Sequence, residues 1–246
     1  MKYLFKTEKP YGDILLLSCD SFFFNEHSIP LIYSGSEQGY NIHLNIINPD
    51  IKDTSLLHKL KSVIKTNLTF SSEIVDLDKT IIKNYFACSR FFISSVLIDN
   101  CKSILIVDAD SIIKKKYKIR NNINLGLYIR NPCPDINNFN SYSIAMLAGL
   151  VYITKNSKDF LLGACKRMKK YKFNNWFCDQ ISLFEEFYES NWINNQYFLN
   201  FKNIEYLFDW EFNDNSYIWT AKGERKNIDE KYLGLKNKIM NCINYE

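Results

Sequence analysis

Two aspartates separated by one residue, Asp108 and Asp110, are the residues of this chain whose types and spacing best suit chemistry. An apolar run over 104–107 precedes them, and a second apolar pair after them gives way to lysines. Residues i and i+2 of a strand share a face, so both carboxylates can point the same way at a strand's end. Two hard oxygen ligands in this arrangement suit Mn²⁺ or Mg²⁺ carrying a substrate phosphate. The alternative is an ordinary polar strand end or turn, where aspartate is common.

Length and composition predict one large folded domain. The chain has 246 residues, of which 46% are hydrophobic, enough for a packed core and unlike a disordered chain. Its apolar runs are far shorter than the roughly 20 residues that span a bilayer. The first residues, MKYLFKTEKPYGD, lack the apolar core of a signal peptide. We therefore expect a cytoplasmic protein.

The cysteines and histidines do not suggest a disulfide framework or a zinc site. Seven cysteines are scattered without any CxxC pair, which predicts reduced and mostly buried thiols. The three histidines all lie in the first quarter of the chain, so a histidine-rich catalytic zinc site is not expected. His43 lies in a predicted strand and is expected to be packed in the core.

The basic residues are concentrated in three stretches. The net charge is +4, and lysines cluster over 114–118, 166–172 and 222–238. Such patches attract phosphates, an anionic membrane surface or nucleic acid, although a solvated surface rich in lysine explains them equally well. No nucleic-acid-binding motif accompanies the charge, so a nucleic-acid partner is not expected. Peripheral association with a membrane stays open.

The order of hydrophobic patterns predicts an α/β fold. Apolar or alternating runs bounded by turn residues are typical of strands, and apolar positions at helical spacing are typical of helices. Alternation of the two implies a mostly parallel sheet covered on both faces, with ligands beyond the carboxyl ends of its strands. The predicted strands are 13–19, 41–47, 70–75, 104–107, 125–129 and 147–154. The predicted helices are 53–66, 83–98, 158–170 and 176–190, together with one that includes apolar positions from residue 24 and ends near Gly35 or Gly39, with its start left open by Pro30.

Three further features concern the positions of side chains within these elements. Asp20 follows the first strand, at the same predicted edge as the Asp108 and Asp110 pair. Asp179 and Gln180 fall in the first turn of helix 176–190, where a carboxylate is favoured by the helix dipole without any catalytic role. Ser157 is a candidate cap for helix 158–170.

Taken in order, these segments resemble a GT-A glycosyltransferase. The aspartate pair matches the DXD motif of that fold, and the flanking blocks are similar to glycosyltransferase family 8, the group of glycogenin and the bacterial lipopolysaccharide galactosyltransferases. The likeness spans roughly residues 13 to 226. The blocks that carry it are LLLSCD, YFACSRFF, SILIVDADSI, AGLVYITKNSKDFL, WFCDQISLF and IWTAKGERK.

The resemblance implies a fold and a division of the chain. The fold would be a Rossmann-like, mostly parallel central sheet flanked by helices, with a C-terminal tail over the active site. Residues 1–246 would form a single domain, with a nucleotide-binding half over about 13–115 and an acceptor half with the tail over about 116–246.

The resemblance also assigns roles to residues. Asp108 and Asp110 would hold Mn²⁺ or Mg²⁺ and the nucleotide diphosphate, and Asp20 would lie near the base or ribose. Arg90 would approach the donor sugar or phosphate. Asp179 and Gln180 would line the sugar pocket as catalytic residues. Near the C-terminus the family pattern His-x-x-Gly-x-x-Lys corresponds here to Thr220, Gly223 and Lys226, so that Gly223 and Lys226 would bind the nucleotide sugar and Thr220 would replace the metal-ligating histidine.

Two positions depart from the family pattern. A threonine hydroxyl is a poorer ligand for Mn²⁺ than imidazole, so Thr220 predicts a weaker or altered metal site. Leu147 stands where family 8 members commonly place an asparagine before Ala-Gly.

The function implied is a metal-dependent, retaining, hexosyltransferase-like glycosyltransferase. It would move a sugar from a nucleotide sugar, expected to be a UDP-sugar, to a glycan or lipid-linked glycan in the synthesis of a surface polysaccharide or lipopolysaccharide. One alternative is a sugar nucleotidyltransferase, which would require a glycine-rich basic loop near the first strand that SCDSFFFNEHS does not supply. The other is an inactive binding module of the same fold.

Overall fold

The computed structural model describes residues 4–135 and 137–245. Residues 1–3, 136 and 246, which the predicted single domain includes, lie outside the described residues. Over the described ranges the strands are β1 (Leu4–Thr7), β2 (Gly12–Asp20), β3 (Asn41–Ile47), β4 (Leu68–Ile74), β5 (Cys101–Val107), β6 (Ser111–Ile113), β7 (Leu125–Ile129), β8 (Met146–Thr154), β9 (Phe198–Asn200), β10 (Phe208–Asp209) and β11 (Ile218–Thr220). The α-helices are α1 (Ser21–Phe23), α2 (Ile29–Glu37), α3 (Ile51–Val63), α4 (Lys79–Leu97), α5 (Phe139–Ser143), α6 (Lys158–Lys170), α7 (Cys178–Glu189), α8 (Arg225–Ile228) and α9 (Glu230–Tyr245).

The central sheet has eight strands in the order β1-β4-β3-β2-β5-β8-β7-β9. The four neighbours β4, β3, β2 and β5 are mutually parallel. Strand β8 runs antiparallel to β5, and β7 runs antiparallel to β8. The start of β8 therefore lies at the sheet edge where β5 ends.

Two hydrophobic cores lie on opposite faces of this sheet. Side chains alternate along β2, so Ile14 and Leu16 join the core beneath α4, α6 and α7, while Leu15 and Leu17 join the core beneath α2, α3 and α9. Because both faces are buried, the strand is a continuous apolar run instead of an alternating one. This arrangement explains why DILLLSC predicts a central strand.

Helix α4 crosses the sheet face in front of β2 and β5. It begins after Asp78, whose side chain accepts the backbone N–H of Thr80 at 2.8 Å, and its buried positions include Tyr85, Cys88 and Phe91. Arg90 lies on the same buried side, within hydrogen-bonding distance of β5's end. The spacing that buries the apolar side chains of α4 therefore also turns the Arg90 side chain towards the end of β5.

A buried polar network lies under the first half of α4. Asn45 contacts Ser18, Ser71 and Glu73 at 2.8 to 3.0 Å. His43 forms hydrogen bonds with Thr69 at 2.9 Å and with Ser71 at 3.1 Å. Ser18 bonds to Ser89 at 2.7 Å, and Tyr85 donates to Glu73 at 2.8 Å. We refer to these residues of β2, β3, β4 and α4 as the buried polar network.

The C-terminal segment forms a small second sheet and two helices. Strands β10, β11 and β6 pair in that order, with Thr220 opposite Ser111. Helix α9 contributes Ile239 and Ile243 to the core on the α2 face. The sequence predicts a tail over the site but not the strands or helix α9 within it.

The predicted fold class is confirmed, and most predicted elements occur near their predicted positions. Strands β3 and β7 have the predicted bounds, whereas helix α3 starts two residues earlier because Asp50 and Asp53 form a capping box. The helix predicted from about residue 24 is a π-helical segment over 24–28 followed by α2, and the short helix α1 precedes it. Ser157 stands at the cap position of α6, yet its hydroxyl bonds to Asn124 and Thr154 instead of to that helix.

The remaining sequence predictions concern burial. His43 is fully buried, as predicted. All seven cysteines are free, and only Cys133 and Cys242 are exposed. No helix within the described ranges is long and apolar enough to cross a membrane.

Candidate functional site

The acidic pair occupies the turn that joins β5 to β6. Asp108 follows the last residue of β5, and its carbonyl accepts the backbone N–H of Ser111 at 3.0 Å, which closes the turn around Asp110. Asp20 ends the adjacent parallel strand β2. The predicted grouping of these aspartates at one sheet edge follows from the parallel pairing of β2 and β5.

Arg90 joins two carboxylates at this edge. Its guanidinium donates to Asp108 Oδ1 and, at 2.8 Å, to Asp179 Oδ2. Asp179 comes from the first turn of α7, so Arg90 ties the end of β5 to that helix. The predicted site residues Arg90, Asp108 and Asp179 are therefore in direct contact.

The two residues of the Asp179-Gln180 pair have different surroundings. Asp179 is buried, and besides Arg90 its carboxylate accepts the backbone N–H of Gln180 at 2.8 Å. Gln180 is partly exposed, and its side chain has no hydrogen bond with the part of the chain that the structure describes. Asp179 is held in place, while the amide of Gln180 remains available to a ligand.

The C-terminal segment packs directly on Asp110. Lys226 Nζ lies 2.9 Å from Asp110 Oδ2 and 4.6 Å from the centroid of the Phe23 ring. Tyr232 of α9, fully buried, donates its hydroxyl to the Asp110 carbonyl at 2.7 Å. The tail therefore closes over this turn, and Lys226 lies between the ends of β2 and β5.

Asp20 and Gly223 each determine the local course of the backbone. Asp20 Oδ1 accepts the backbone N–H of Phe23 at 2.7 Å and so caps helix α1. Among the described hydrogen bonds, none joins Asp20 to Asp108 or Asp110. Gly223 has a φ of +60°, a left-handed conformation that lets the chain turn between Thr220 and Lys226.

Burial and neighbouring charges shift the pKa values of this cluster. Burial alone would lower the pKa of Arg90, but Asp108 and Asp179 raise it above its usual range. Burial, together with Asp108, raises the pKa of Asp110 against the opposing effect of Lys226. Burial also raises the pKa of Asp179, which Arg90 partly offsets. Each buried carboxylate thus depends on a cationic partner to stay ionised.

Three buried polar atoms that lack a hydrogen-bond partner in the described chain belong to or adjoin this site. In the described part of the chain four such side-chain atoms occur, namely Arg90 Nε, Ser111 Oγ, Ser182 Oγ and Thr220 Oγ1. Ser111 follows Asp110, and Thr220 pairs with Ser111 across the small sheet. Such atoms carry a desolvation cost that a ligand can relieve.

The donor set fits a divalent cation of the Mg²⁺ or Mn²⁺ type. Asp108 and Asp110 each use one oxygen for a cationic partner, the other Asp108 oxygen packs against Gly149 of β8, and the buried hydroxyl of Thr220 is unpartnered. No group of three or more histidine, cysteine, aspartate or glutamate side chains comes together as a metal site among the described residues. Mg²⁺ commonly binds one or two carboxylates and completes its shell with water and substrate phosphates.

Sequence reasoning missed several residues of this region. A Cβ added to Gly149 of β8 would lie 2.1 Å from Asp108 Oδ2, so only glycine allows that close approach. Lys222 lies 4.8 Å above the Trp210 ring, and burial together with Arg130 lowers its pKa to about 8. The small residues Ala148 and Gly149 are typical of close backbone approach, but no sequence pattern identifies Asp108 as the partner.

Comparisons with known proteins place the fold among the glycosyltransferases. No family model matches the chain, and no curated protein sequence matches it. Among solved structures, the WbbM bifunctional glycosyltransferase in its apo form is similar with a TM-score of 0.62 and 13% identity, over 94% of this chain and 50% of that one. The glycosyltransferase GlyE of Streptococcus pneumoniae TIGR4 is similar with a TM-score of 0.59 and 11% identity, over 95% of this chain and 62% of that one.

The chain therefore shares the fold of these two glycosyltransferases and spans about half to three fifths of their chains. At this level of identity the likeness concerns architecture alone.

Proposed function

We propose that this protein is a glycosyltransferase that moves a sugar from a nucleotide sugar, a UDP-sugar, to a hydroxyl group of a glycan or lipid-linked glycan. The observation that carries the proposal is the contact of Arg90 with both Asp108 and Asp179 at the carboxyl edge of a glycosyltransferase fold. Three carboxylates, a buried arginine and a lysine meet there, and the Nε of that arginine is buried without a partner among the described residues.

The cations of the site are suited to the leaving diphosphate. Lys226 forms an ion pair with Asp110 and is partly buried, so it can exchange that carboxylate for a phosphate oxygen. Lys222 lies close enough for Asp108 and Asp110 to affect its pKa. Cations placed where negative charge develops stabilise the transition state, and a poorly solvated site strengthens the effect.

Asp108 and Asp110 would hold Mn²⁺ or Mg²⁺, whose chemistry there is Lewis-acid neutralisation of the diphosphate. The unpartnered hydroxyl of Thr220 is a candidate for a further ligand, although hydroxyl is a weaker ligand than imidazole. Arg90 would orient the Asp108 carboxylate.

Gln180 is the better candidate of its pair to touch the donor sugar. Its side-chain amide is partly exposed and free of partners in the described chain, whereas Asp179 is fixed by Arg90. Asp179 would then act as a positioning residue for Arg90. Asp20 would reach the base or ribose with the oxygen that does not cap α1, and Gly223 would shape the loop that brings Lys226 to the diphosphate.

The proposal has three further parts. The enzyme would transfer a hexose with retention of configuration, it would act in surface polysaccharide or lipopolysaccharide synthesis, and it would lie in the cytoplasm at the inner face of a membrane. These parts rest on the resemblance to family 8 and on the basic surface of the chain.

One observation favours an inactive binding module instead. Both members of the acidic pair are already neutralised by Arg90 and Lys226, and Thr220 replaces the expected histidine. Such a module would bind a nucleotide sugar without hydrolysing or transferring it.

Thermal unfolding with added UDP and Mn²⁺ tests the proposal. At a hundredfold excess over the dissociation constant we expect about 2.7 kcal/mol of stabilisation, a Tm increase of roughly 5 to 10 °C. The double variant Asp108→Ala with Asp110→Ala should lose this shift, whereas Asp76→Ala with Asp135→Ala, which removes two exposed carboxylates, should keep it. Absence of a shift with every nucleoside diphosphate and nucleotide sugar would refute both the enzyme and the binding module.

Metal-dependent hydrolysis of a panel of nucleotide sugars then separates these two. Release of free sugar from one donor supports the transferase and names that donor, whereas binding without release supports the inactive module. A Tm shift that is the same in EDTA as in Mn²⁺ would contradict the proposed role of the metal.

A further inference from the structure

A cleft lies at the amino-terminal edge of the sheet, opposite the edge that carries Asp108. Its volume is about 660 Å³, within the range that holds a small organic ligand. The starts of β2 and β5, the end of β8 and the loop over 114–124 form its walls. None of the residues proposed above for glycosyl transfer lines it.

The cleft has an excess of positive charge. Lys102, Lys116, Lys118 and Lys155 line it together with a single carboxylate, Asp13, which pairs with Lys102 at 3.6 Å. Lys118 and Lys155 have no ion pair or hydrogen bond within the described chain, and Lys116 donates only to the carbonyl of Gly39, at 2.7 Å. Three of these ammonium groups are thus without a carboxylate partner.

Aromatic rings and amides form the rest of the lining. Tyr40 is buried and donates its hydroxyl to the carbonyl of Tyr117 at 3.4 Å, so these two tyrosines are fixed relative to each other. Tyr152 of β8 also lines the cleft. Asn124 accepts hydrogen bonds from Thr154 and Asn156, at 3.3 and 3.1 Å, which holds its amide in place.

We propose that this cleft binds an acidic oligosaccharide through carboxylate or phosphate groups of its sugars. Lysines supply the charge, the partly exposed rings of Tyr117 and Tyr152 suit the apolar faces of pyranose rings, and asparagine amides suit hydroxyl groups. The Tyr40 ring, in contrast, is already covered by Lys116, whose Nζ lies 4.5 Å from the ring centroid. A membrane surface is flat and would not enter a concave cleft. The further idea that this ligand is the acceptor glycan rests on the proposed function, but binding itself does not.

Titration calorimetry with a hyaluronan tetrasaccharide, whose alternating sugars are glucuronates, tests the proposal on the full chain. We expect binding that weakens with added salt and that falls about tenfold in Lys118→Ala with Lys155→Ala, because partly exposed charge contacts contribute modestly. The matched control, Lys59→Ala with Lys166→Ala, removes two exposed lysines outside the cleft and should bind as the wild type does. All four lysines are on the surface, so both double variants should fold.

Several results would overturn the proposal. One is that the wild type binds neutral chitotetraose as tightly as the hyaluronan tetrasaccharide, and another is that the control variant loses as much affinity as the cleft variant. A third is that the tetrasaccharide does not bind at all, and a fourth is that only UMP or phosphatidylglycerol vesicles bind. The thermal shift with UDP and Mn²⁺ is measured on the same variants and should be unchanged. Loss of tetrasaccharide binding with that shift intact concerns the cleft alone, whereas a missing shift in the wild type concerns only the proposed transferase.

Discussion

Helix α4 contributes to two polar regions, one within its own sheet face and one at the carboxyl edge of the sheet, and they differ in how completely their hydrogen bonds are satisfied. The buried polar network around His43 and Asn45 contains no buried side-chain atom without a partner. The charged cluster at the end of β5, which consists of Arg90, Asp108, Asp110, Asp179 and Lys226, has the unpartnered Arg90 Nε and adjoins the unpartnered hydroxyls of Ser111 and Thr220.

The difference separates a structural role from a binding role. A closed polar network stabilises one arrangement of the chain, because every buried donor and acceptor already has its partner. A cluster with unpartnered buried atoms is destabilised by the desolvation of those atoms, and a ligand that bonds to them can remove that penalty. Burial of polar residues alone would not have distinguished the two regions.

The largest expected effect is at Arg90. Arg90→Met leaves Asp108 and Asp179 without their shared cation and should lower the free energy of unfolding by about 3 to 5 kcal/mol. In the buried polar network, Glu73→Gln retains a side chain able to bond Asn45 and Tyr85 and should cost under about 1.5 kcal/mol. Urea unfolding measures both, with the exposed Arg120→Met as the control. Equal decreases in the free energy of unfolding for Arg90→Met and Glu73→Gln would contradict the distinction between the charged cluster and the buried polar network.

The next effect is at Gly149. Gly149→Ala places a Cβ 2.1 Å from Asp108 Oδ2 and should cost about 1 to 3 kcal/mol while abolishing the thermal shift with UDP and Mn²⁺. Gly234→Ala is the matched change, since it lies in α9 with nothing within 4 Å and should raise stability by about 0.5 to 1 kcal/mol. A Gly149 variant that keeps both its stability and its ligand shift would show that the close approach has no function.

A pH effect tests the buried polar network. Burial lowers the pKa of His43 from 6.5 to about 3 in the folded protein, so the unfolded chain binds the proton first and stability falls as the pH drops below about 6.5. Between pH 7.5 and pH 5.5 this group should contribute a loss of about 1.4 kcal/mol, which His43→Gln should remove. Urea unfolding at the two pH values gives the difference, and the exposed His58→Gln is the control. An unchanged pH profile in the His43 variant would contradict the prediction.

The smallest effect on stability is at Thr220. Thr220→Val removes a hydroxyl that has no partner, so stability should stay the same or rise by up to about 1 kcal/mol. If this oxygen contributes to the metal site, the Mn²⁺ concentration needed for the thermal shift with UDP should increase about tenfold, a change of about 1.4 kcal/mol. The exposed Thr54→Val should alter neither quantity. A loss of stability above 1 kcal/mol would mean that the hydroxyl has a partner after all.

The sequence predicted the parts of the fold that local patterns determine. The apolar runs of β2, β3 and β5 and the helical spacing of α4 gave the central sheet and the grouping of aspartates at its carboxyl edge. The antiparallel direction of β8 was not predicted, because strand direction depends on the path of the chain between strands and not on the strand's own residues. The helix over Glu230–Tyr245 was missed because its lysines and asparagines obscure a narrow apolar stripe of Tyr232, Ile239 and Ile243.

Pairing of charges was the least predictable part of the candidate site. Arg90, Asp108 and Asp179 were each named from the sequence, but their direct contact depends on α4 and α7 meeting over β5. Tyr232 gave no signal, since its hydroxyl meets a backbone carbonyl 122 positions away in the chain. Contacts of this kind follow from tertiary packing alone.

Strand β8 sets a minimum length for any ligand that uses both ends of the sheet. Gly149 touches Asp108 at one edge, and Thr154 of the same strand lines the basic cleft at the other. Five residues of extended chain separate them, roughly 17 Å at about 3.4 Å per residue. An oligosaccharide shorter than this distance can reach Asp108 or the cleft but never both. Under the proposed function, acceptors below and above that length should therefore differ in how tightly they are held, even where their reacting ends are the same.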